Sequence, residues 1–466
     1  MSQRITDWDP EDVAAWEAGN KFVARRNLIW SVAAEHIGFS VWSIWSVMVL
    51  FMPESVYGFS AGDKFLLGAT ATLVGACLRI PYTLATATFG GRNWTVFSAF
   101  VLLIPTVGTM WLLANPGLPL WPYLLCAALA GFGGGNFASS MTNINAFYPQ
   151  RLKGWALGIN AGGGNIGVPM VQIIGLLVIA TAGNEQPYWV CAFYLVALAV
   201  AGIGAALYMD NLEQHKIDLT SMGAILKERD TWVISLLYIG TFGSFIGFAF
   251  AFGQVLQINF AAGGQTAAQA SLHAAQIAFI GPLLGSLSRV YGGKLADRIG
   301  GGRVTLAVFA GMILAAGLLV AVSTLDDRSA GAATAATMAW YVVGFIALFL
   351  LSGTGNGSVY KMIPSIFEAR SRSLGLDEAE RQHWSRAMSG ALIGFAGAVG
   401  ALGGVGINLA LRQSYLSSGS ATSAFWIFAA FYVVASVVTW VMYVRRPVPT
   451  AVSTATAERH VAAMAE

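Results

Sequence analysis

Leu78-Arg79-Ile80-Pro81-Tyr82 leads thirteen residues later to Gly90-Gly91-Arg92, and Ser288-Arg289-Val290-Tyr291-Gly292 leads fourteen later to Gly301-Gly302-Arg303. Each motif begins inside a long apolar run and ends at a glycine pair followed by a base. The repeat equates a second apolar segment with an eighth and places one arginine at the same depth in each half of the chain. Two related halves with a site between them is a layout of membrane transporters.

Working outward from the repeat, the apolar runs bounded by Gly, Pro, Asn or charge predict helices over 28–52, 63–88, 94–114, 120–147, 155–181 and 188–208, then 231–260, 271–296, 304–323, 338–367, 386–411 and 423–444. Six fall on each side of a polar stretch. Composition agrees: of 466 residues, 56% are hydrophobic and 11% charged, far from the quarter or so of charged residues in a soluble domain. About twelve spans of ~20 residues accommodate that much apolar surface, and one soluble core does not. The expected fold is an all-α membrane protein with twelve transmembrane helices in two pseudo-symmetric six-helix bundles. Its parts are an N-terminal segment 1–27, a first bundle 28–208, a linker 209–230, a second bundle 231–444 and a tail 445–466.

Twenty of the 26 Lys and Arg fall on the side shared with the termini, three on the other side and three, Arg79, Arg289 and Lys361, within spans. The basic side of a polytopic protein is the cytoplasmic one, so both termini are expected in the cytoplasm, with the protein in the cell (inner) membrane. The first 27 residues lack an apolar h-region, which argues against a cleaved signal peptide. A formal charge of +3 gives nucleic acid no footprint. Cys77, Cys126 and Cys191 sit in apolar runs and read as packing residues, so neither a disulfide framework nor a metal or other cofactor is expected. The oligomeric state is expected to be monomeric.

A guanidinium at the bilayer centre costs about 2.5–3.5 kcal/mol on insertion scales, which demands either a partner or a function. Snorkelling or pairing with an acid is the structural alternative, but Glu35 is the one carboxylate well inside any predicted span and cannot neutralise two arginines. A midplane anion site is the functional reading, with planar guanidinium forks gripping a planar oxyanion. Around it lie the runs Gly131-Phe132-Gly133-Gly134-Gly135-Asn136-Phe137-Ala138-Ser139-Ser140 and Asn160-Ala161-Gly162-Gly163-Gly164-Asn165-Ile166-Gly167, and the glycines Gly394, Gly397, Gly400, Gly403, Gly404 and Gly406. Most of these serve close helix packing. Asn165 stands out as an amide with room to donate.

Between the eighth and ninth spans runs Gly293-Lys294-Leu295-Ala296-Asp297-Arg298-Ile299-Gly300-Gly301-Gly302-Arg303, which resembles the cytoplasmic loop signature of the major facilitator superfamily. Gly293, Asp297, Arg298 and Arg303 are then a gate motif in which the acid caps a helix end and pairs with nearby arginines. The loop after span two lacks the Asp-Arg pair, so this latch is expected to be asymmetric. Taken with Arg79, Arg289, the two glycine-rich runs and Gly240-Thr241-Phe242-Gly243-Ser244-Phe245-Ile246-Gly247-Phe248, the chain resembles the nitrate/nitrite porter family of that superfamily over nearly its whole length. By that resemblance Arg79 and Arg289 clamp the anion, Asn165 and Tyr238 hydrogen-bond it, and Phe137 and Phe242 flank its faces. Taken singly, each of these aromatic residues would read as ordinary core or lipid-facing packing.

Tyr360 stands where the exchanger members of the family have phenylalanine, Lys361 beside it adds an expected third buried cation, and Glu35-His36 puts an ionisable pair in span one. These features resemble the branch that moves nitrate together with protons. An exchanger of monovalent anions needs no titratable group, whereas a symporter does, and Glu35, Lys361 and His36 are the candidates. A structural Glu35–Lys361 ion pair is the alternative. The expected partners are therefore nitrate, nitrite, protons and the lipid bilayer. Nitrate/nitrite exchange is the runner-up within the class. A membrane-embedded enzyme or nitrate sensor lacks support, because no nucleophile–base pair, ligand spacing or output domain is present in the sequence.

Overall fold

The computed structural model describes residues 4–213, 219–329 and 333–445. His215, Lys216 and Asp218 of the linker and nearly all of the tail lie outside the described residues.

Among the described residues, twelve helices are long and apolar enough to cross a bilayer: Val13–Phe51, Ala61–Phe89, Gly91–Ala114, Leu120–Phe147, Gln150–Ala182, Tyr188–Tyr208, Arg229–Ala262, Ala267–Ile299, Gly301–Arg328, Ala335–Ser371, Glu380–Ser418 and Thr422–Val444. They are numbered here as spans one to twelve. Large apolar side chains face outward over the whole bundle, with Leu314 76% exposed and Trp121 65%, a surface that only lipid can cover.

Local chemistry sets the helix ends. The span-two helix opens on a capping box, where Asp63 N donates to Ser60 Oγ at 3.2 Å and Ser60 N to Asp63 Oδ2 at 3.0 Å, and the span-eight helix opens on the equivalent box of Thr266 and Gln269. The turns from span two to three and from span eight to nine each pivot on one glycine of positive φ, Gly90 at 86° and Gly300 at 92°, which explains why the repeated motif ends in glycine. Span two packs along span eleven, and span five along span eight. The pseudo-two-fold that equates spans two and eight exchanges these two seams, so the halves meet in a symmetric sandwich.

Several spans run past the apolar limits read from the sequence. Span one starts at Val13 on an Asp12 cap, with Ala15 N donating to Asp12 Oδ1 at 3.0 Å. The N-terminal segment is folded onto the first bundle by Trp8 against Phe147 and Trp16 against Tyr148. Residues Arg4–Ile5 also pair with Asn211–Leu212 as a short parallel ladder. Beside it Asp210 accepts from Arg26 at 2.7 Å and from the buried Asn27 amide at 2.8 Å.

The asymmetry expected between the two equivalent loops has a structural counterpart. After span two, Asn211 of the linker accepts from Arg92 N at 3.0 Å and Asn93 N at 3.3 Å. After span eight, Asp297 pairs with Lys361 of span ten at 2.9 Å. The expected partners of Asp297 were arginines, and its place in the last turn of a helix ending at Ile299 keeps it from capping a helix start.

Asp210→Ala removes one of the two acceptors of the buried Asn27 amide, leaving the Val23 carbonyl, a loss worth about 1–3 kcal/mol. The expected result is a lower unfolding midpoint in detergent by scanning fluorimetry, with Asp210→Asn recovering most of it.

Candidate functional site

Arg79 and Arg289 approach the seam from opposite halves. Arg79 is 1% exposed and Arg289 9%. Neither has a carboxylate partner within ion-pair distance among the described residues. Arg79 is fixed by two backbone carbonyls, donating from Nε to Gly134 O at 3.2 Å and from Nη1 across the seam to Gly397 O at 2.8 Å. Its Nη2 and the Nη1 of Arg289 are buried with no partner.

The ring of Phe137 lies between the two, 4.9 Å from the Arg79 guanidinium carbon and 5.9 Å from that of Arg289. Phe242 closes on Arg79 at 4.8 Å and Tyr360 on Arg289 at 5.2 Å. Tyr238 joins these two walls, stacking on Phe242 with centroids 5.2 Å apart and on Tyr360 at 4.4 Å. Cation–π contact lets aromatic rings hold a guanidinium without consuming its N–H donors. The Tyr238 hydroxyl is buried and without a partner as well, so this stretch of the seam holds three buried donors with no acceptor among the described residues.

Local structure in span seven helps to present this wall. The α-helix Arg229–Tyr238 gives way to one π-helical turn, Ile239–Gly243, before resuming at Ser244. The wide turn begins immediately after Tyr238 and contains Phe242, and such bulges recur at functional sites. Asn165 in span five is 1% exposed, its side-chain oxygen unpartnered, and its backbone carbonyl accepts from Ser286 at 3.4 Å, one turn before Arg289. The structure thus gathers Arg79, Arg289, Phe137, Phe242, Tyr238 and Tyr360 at one place and puts Asn165 on the seam beside it.

Glu35 and His36 diverge. Glu35 turns into the first bundle, 1% exposed. Its Oε2 accepts from Ser140 Oγ at 2.5 Å and Asn160 Nδ2 at 2.7 Å, while Oε1 has no partner. His36 donates from Nδ1 to Gly163 O at 3.0 Å.

Lys361 requires a correction. It is not a third buried cation and does not pair with Glu35: its side chain is 51% exposed and bound to Asp297. Span ten has 37 residues, about 55 Å of helix against a hydrocarbon core of about 30 Å. The apolar run therefore continues beyond the bilayer, and depth within the run overstates depth within the membrane.

Three participants escaped the sequence reading. Ser140 and Asn160 hold Glu35 from spans four and five, and Gly397 accepts from Arg79. A side chain at Gly397 would start 3.0 Å from the Tyr360 hydroxyl and 3.4 Å from Arg79 Nη1. All three lie in the glycine-rich runs, but nothing in one dimension says which small residue faces the seam.

A fold of two six-helix halves with an arginine from each buried at their seam is that of a membrane transporter rather than an enzyme. The Major Facilitator Superfamily profile matches residues 33–379. The nitrate/nitrite transporter NarU of Salmonella typhimurium is 37% identical over 95% of this chain and 96% of its own length. The probable nitrate/nitrite antiporter NarK2 of Thermus thermophilus is 32% identical over 95% and 97%. Among solved structures, the nucleoside transporter NupG superposes with a TM-score of 0.61 at 15% identity, covering 89% of this chain and 98% of that one, a likeness of fold alone. The chain belongs to the major facilitator superfamily and, within it, to the nitrate/nitrite porter family.

Gly397→Leu fills the space between Arg79, Phe137 and Tyr360. Calorimetry with a small oxyanion is expected to show at least a tenfold loss of affinity, about 1.4 kcal/mol, with the helical content by circular dichroism unchanged.

Proposed function

We propose that the protein carries nitrate, and nitrite with it, across the membrane by alternating access, and that nitrate uptake is coupled to protons. The observation that carries the anion reading is the pair of buried guanidiniums on either side of Phe137, each with a nitrogen that lacks an acceptor. Nitrate is flat and weakly hydrated, so aromatic rings suit its faces and guanidinium N–H groups its rim. The two relatives, a nitrate/nitrite transporter and a probable nitrate/nitrite antiporter, support the same substrate class. Asn165 and the Tyr238 hydroxyl add hydrogen bonds at the rim.

Proton coupling rests on Glu35, with His36 the second candidate. Glu35 is ionisable, enclosed in the same bundle as Arg79, and keeps one oxygen free of partners. With Lys361 on a solvent-facing ion pair, the burden of coupling shifts to the acid. The excess of Lys and Arg on the side of the termini supports an inner-membrane protein with both ends in the cytoplasm, acting as a monomer. Nitrate/nitrite exchange is the second reading, favoured by the name of the Thermus relative and by the full hydrogen bonding of Glu35 Oε2, which suits a purely structural carboxylate.

Labelled nitrate uptake into liposomes separates the two. An inward proton gradient is expected to drive uptake, and a proton uncoupler to abolish it; uptake that needs internal nitrite and ignores the uncoupler would establish exchange. Arg79→Lys keeps the charge but loses the fork and the Gly397 bond, and is expected to lower uptake by roughly a hundredfold, an effect of about 2.7 kcal/mol. Glu35→Gln is expected to abolish gradient-driven uptake while nitrate counterflow between equal pools survives. Unchanged uncoupler sensitivity in that variant would remove Glu35 from the mechanism.

A further inference from the structure

The seam between the two halves is closed at one end and open at the other. Towards the termini, a side chain added at Gly154 or Gly158 of span five, or at Gly390 or Gly394 of span eleven, would meet open space. Further along, where span two meets span eleven, added side chains would collide across the seam, Gly404 with the Thr72 side chain and Gly68 with that of Asn408. None of the ion pairs among the described residues joins the first bundle to the second; each stays within a half or involves the N-terminal segment or the linker. The end away from the termini is therefore held by something other than charge.

What spans it is a set of neutral hydrogen bonds from side chain to backbone. Gln257 of span seven donates from Nε2 to Leu50 O at 2.9 Å, and Ser271 of span eight donates to the same oxygen at 2.7 Å. Gln254 donates to Ala61 O at 2.8 Å. In the reverse direction, Gln172 of span five donates to Ala249 O of span seven at 2.9 Å. Leu50 lies in the 3-10 turn Val49–Phe51 that ends span one, so its carbonyl is one of the helix-end acceptors left without an intrahelical partner. The second bundle caps the last turn of the first.

We propose that Gln172, Gln254 and Gln257 are the latch of the far-side gate, the groups whose cross-seam bonds must break for the arginine pocket to open away from the termini. The chemistry suits that task. An amide-to-carbonyl bond is almost balanced by the bonds both groups make to water once parted, so the closed and open seams stay close in free energy and the cycle can turn. A neutral gate neither traps nor repels an anion on its way to Arg79 and Arg289, as a lysine or carboxylate latch would. Ser271 shares the Leu50 acceptor with Gln257 and makes that tie redundant.

The test measures the two ends of the seam independently of any ion gradient, so its outcome does not depend on the proton reading. In the full-length protein with Cys77→Ala, in lipid nanodiscs, spin labels at Val56 and Ala268 report the far end and labels at Gln150 and Glu380 the end near the termini. Distances come from double electron–electron resonance. Gln254→Leu combined with Gln257→Leu is expected to raise the far-open population roughly tenfold, lengthening the Val56–Ala268 distance and shortening the Gln150–Glu380 distance. Ser271→Ala and Gln172→Leu, mild enough to fold if the double variant does not, are expected to shift the same populations in the same direction by a few-fold. Distance distributions identical to the unsubstituted protein in the folded variants would overturn the proposal and leave the far end closed by apolar packing alone.

Discussion

Two guanidiniums buried without a counter-carboxylate, on opposite sides of one phenylalanine ring, are the constraint around which the molecule is arranged. Such charges are costly in a bilayer, and the usual remedy, an ion pair, would use up their N–H donors. The remedy here is different. Arg79 is pinned by the carbonyls of Gly134 and Gly397, and aromatic faces cover both arginines, so position is fixed while N–H donors remain unspent. Glycine at 397 follows from this arrangement, because a side chain there would press on Tyr360 and Arg79 at once.

The same logic keeps the one buried acid of the first bundle apart from the arginines. Ser140 and Asn160 take the hydrogen-bonding capacity of one oxygen of Glu35, so the carboxylate is held in place within its own bundle and forms no ion pair with either guanidinium. Its neighbours come from spans four and five, the helices that also carry Phe137 and Asn165. A change in the charge of Glu35 would therefore act on the helices that carry Phe137 and Asn165.

Charge elsewhere consolidates each half. Asp210 with Arg26 and Asn27 fastens the start of the linker to span one, Arg370 with Glu228 fastens its end to span ten, and Asp297 with Lys361 ties spans eight and ten. Each half is made rigid by bonds that stay within it or run to the linker, which is what rocking of two bodies about a central site requires.

The amino-acid sequence by itself determined the twelve spans, the six-plus-six repeat and the paired arginines, since these depend on local apolar runs, on motifs repeated in each half and on the rarity of charge in lipid; the aromatic residues beside the arginines were legible only through the family resemblance. Only the tertiary structure decided which glycine faces Arg79, that Ser140 and Asn160 hold Glu35, and that Lys361 belongs to a surface ion pair. Those outcomes depend on helix rotation and on how far each helix projects beyond the bilayer. Neither is encoded in a run of apolar residues, because a helix of any length beyond the membrane thickness satisfies the same hydropathy while packing alone sets its depth and the direction of each side chain.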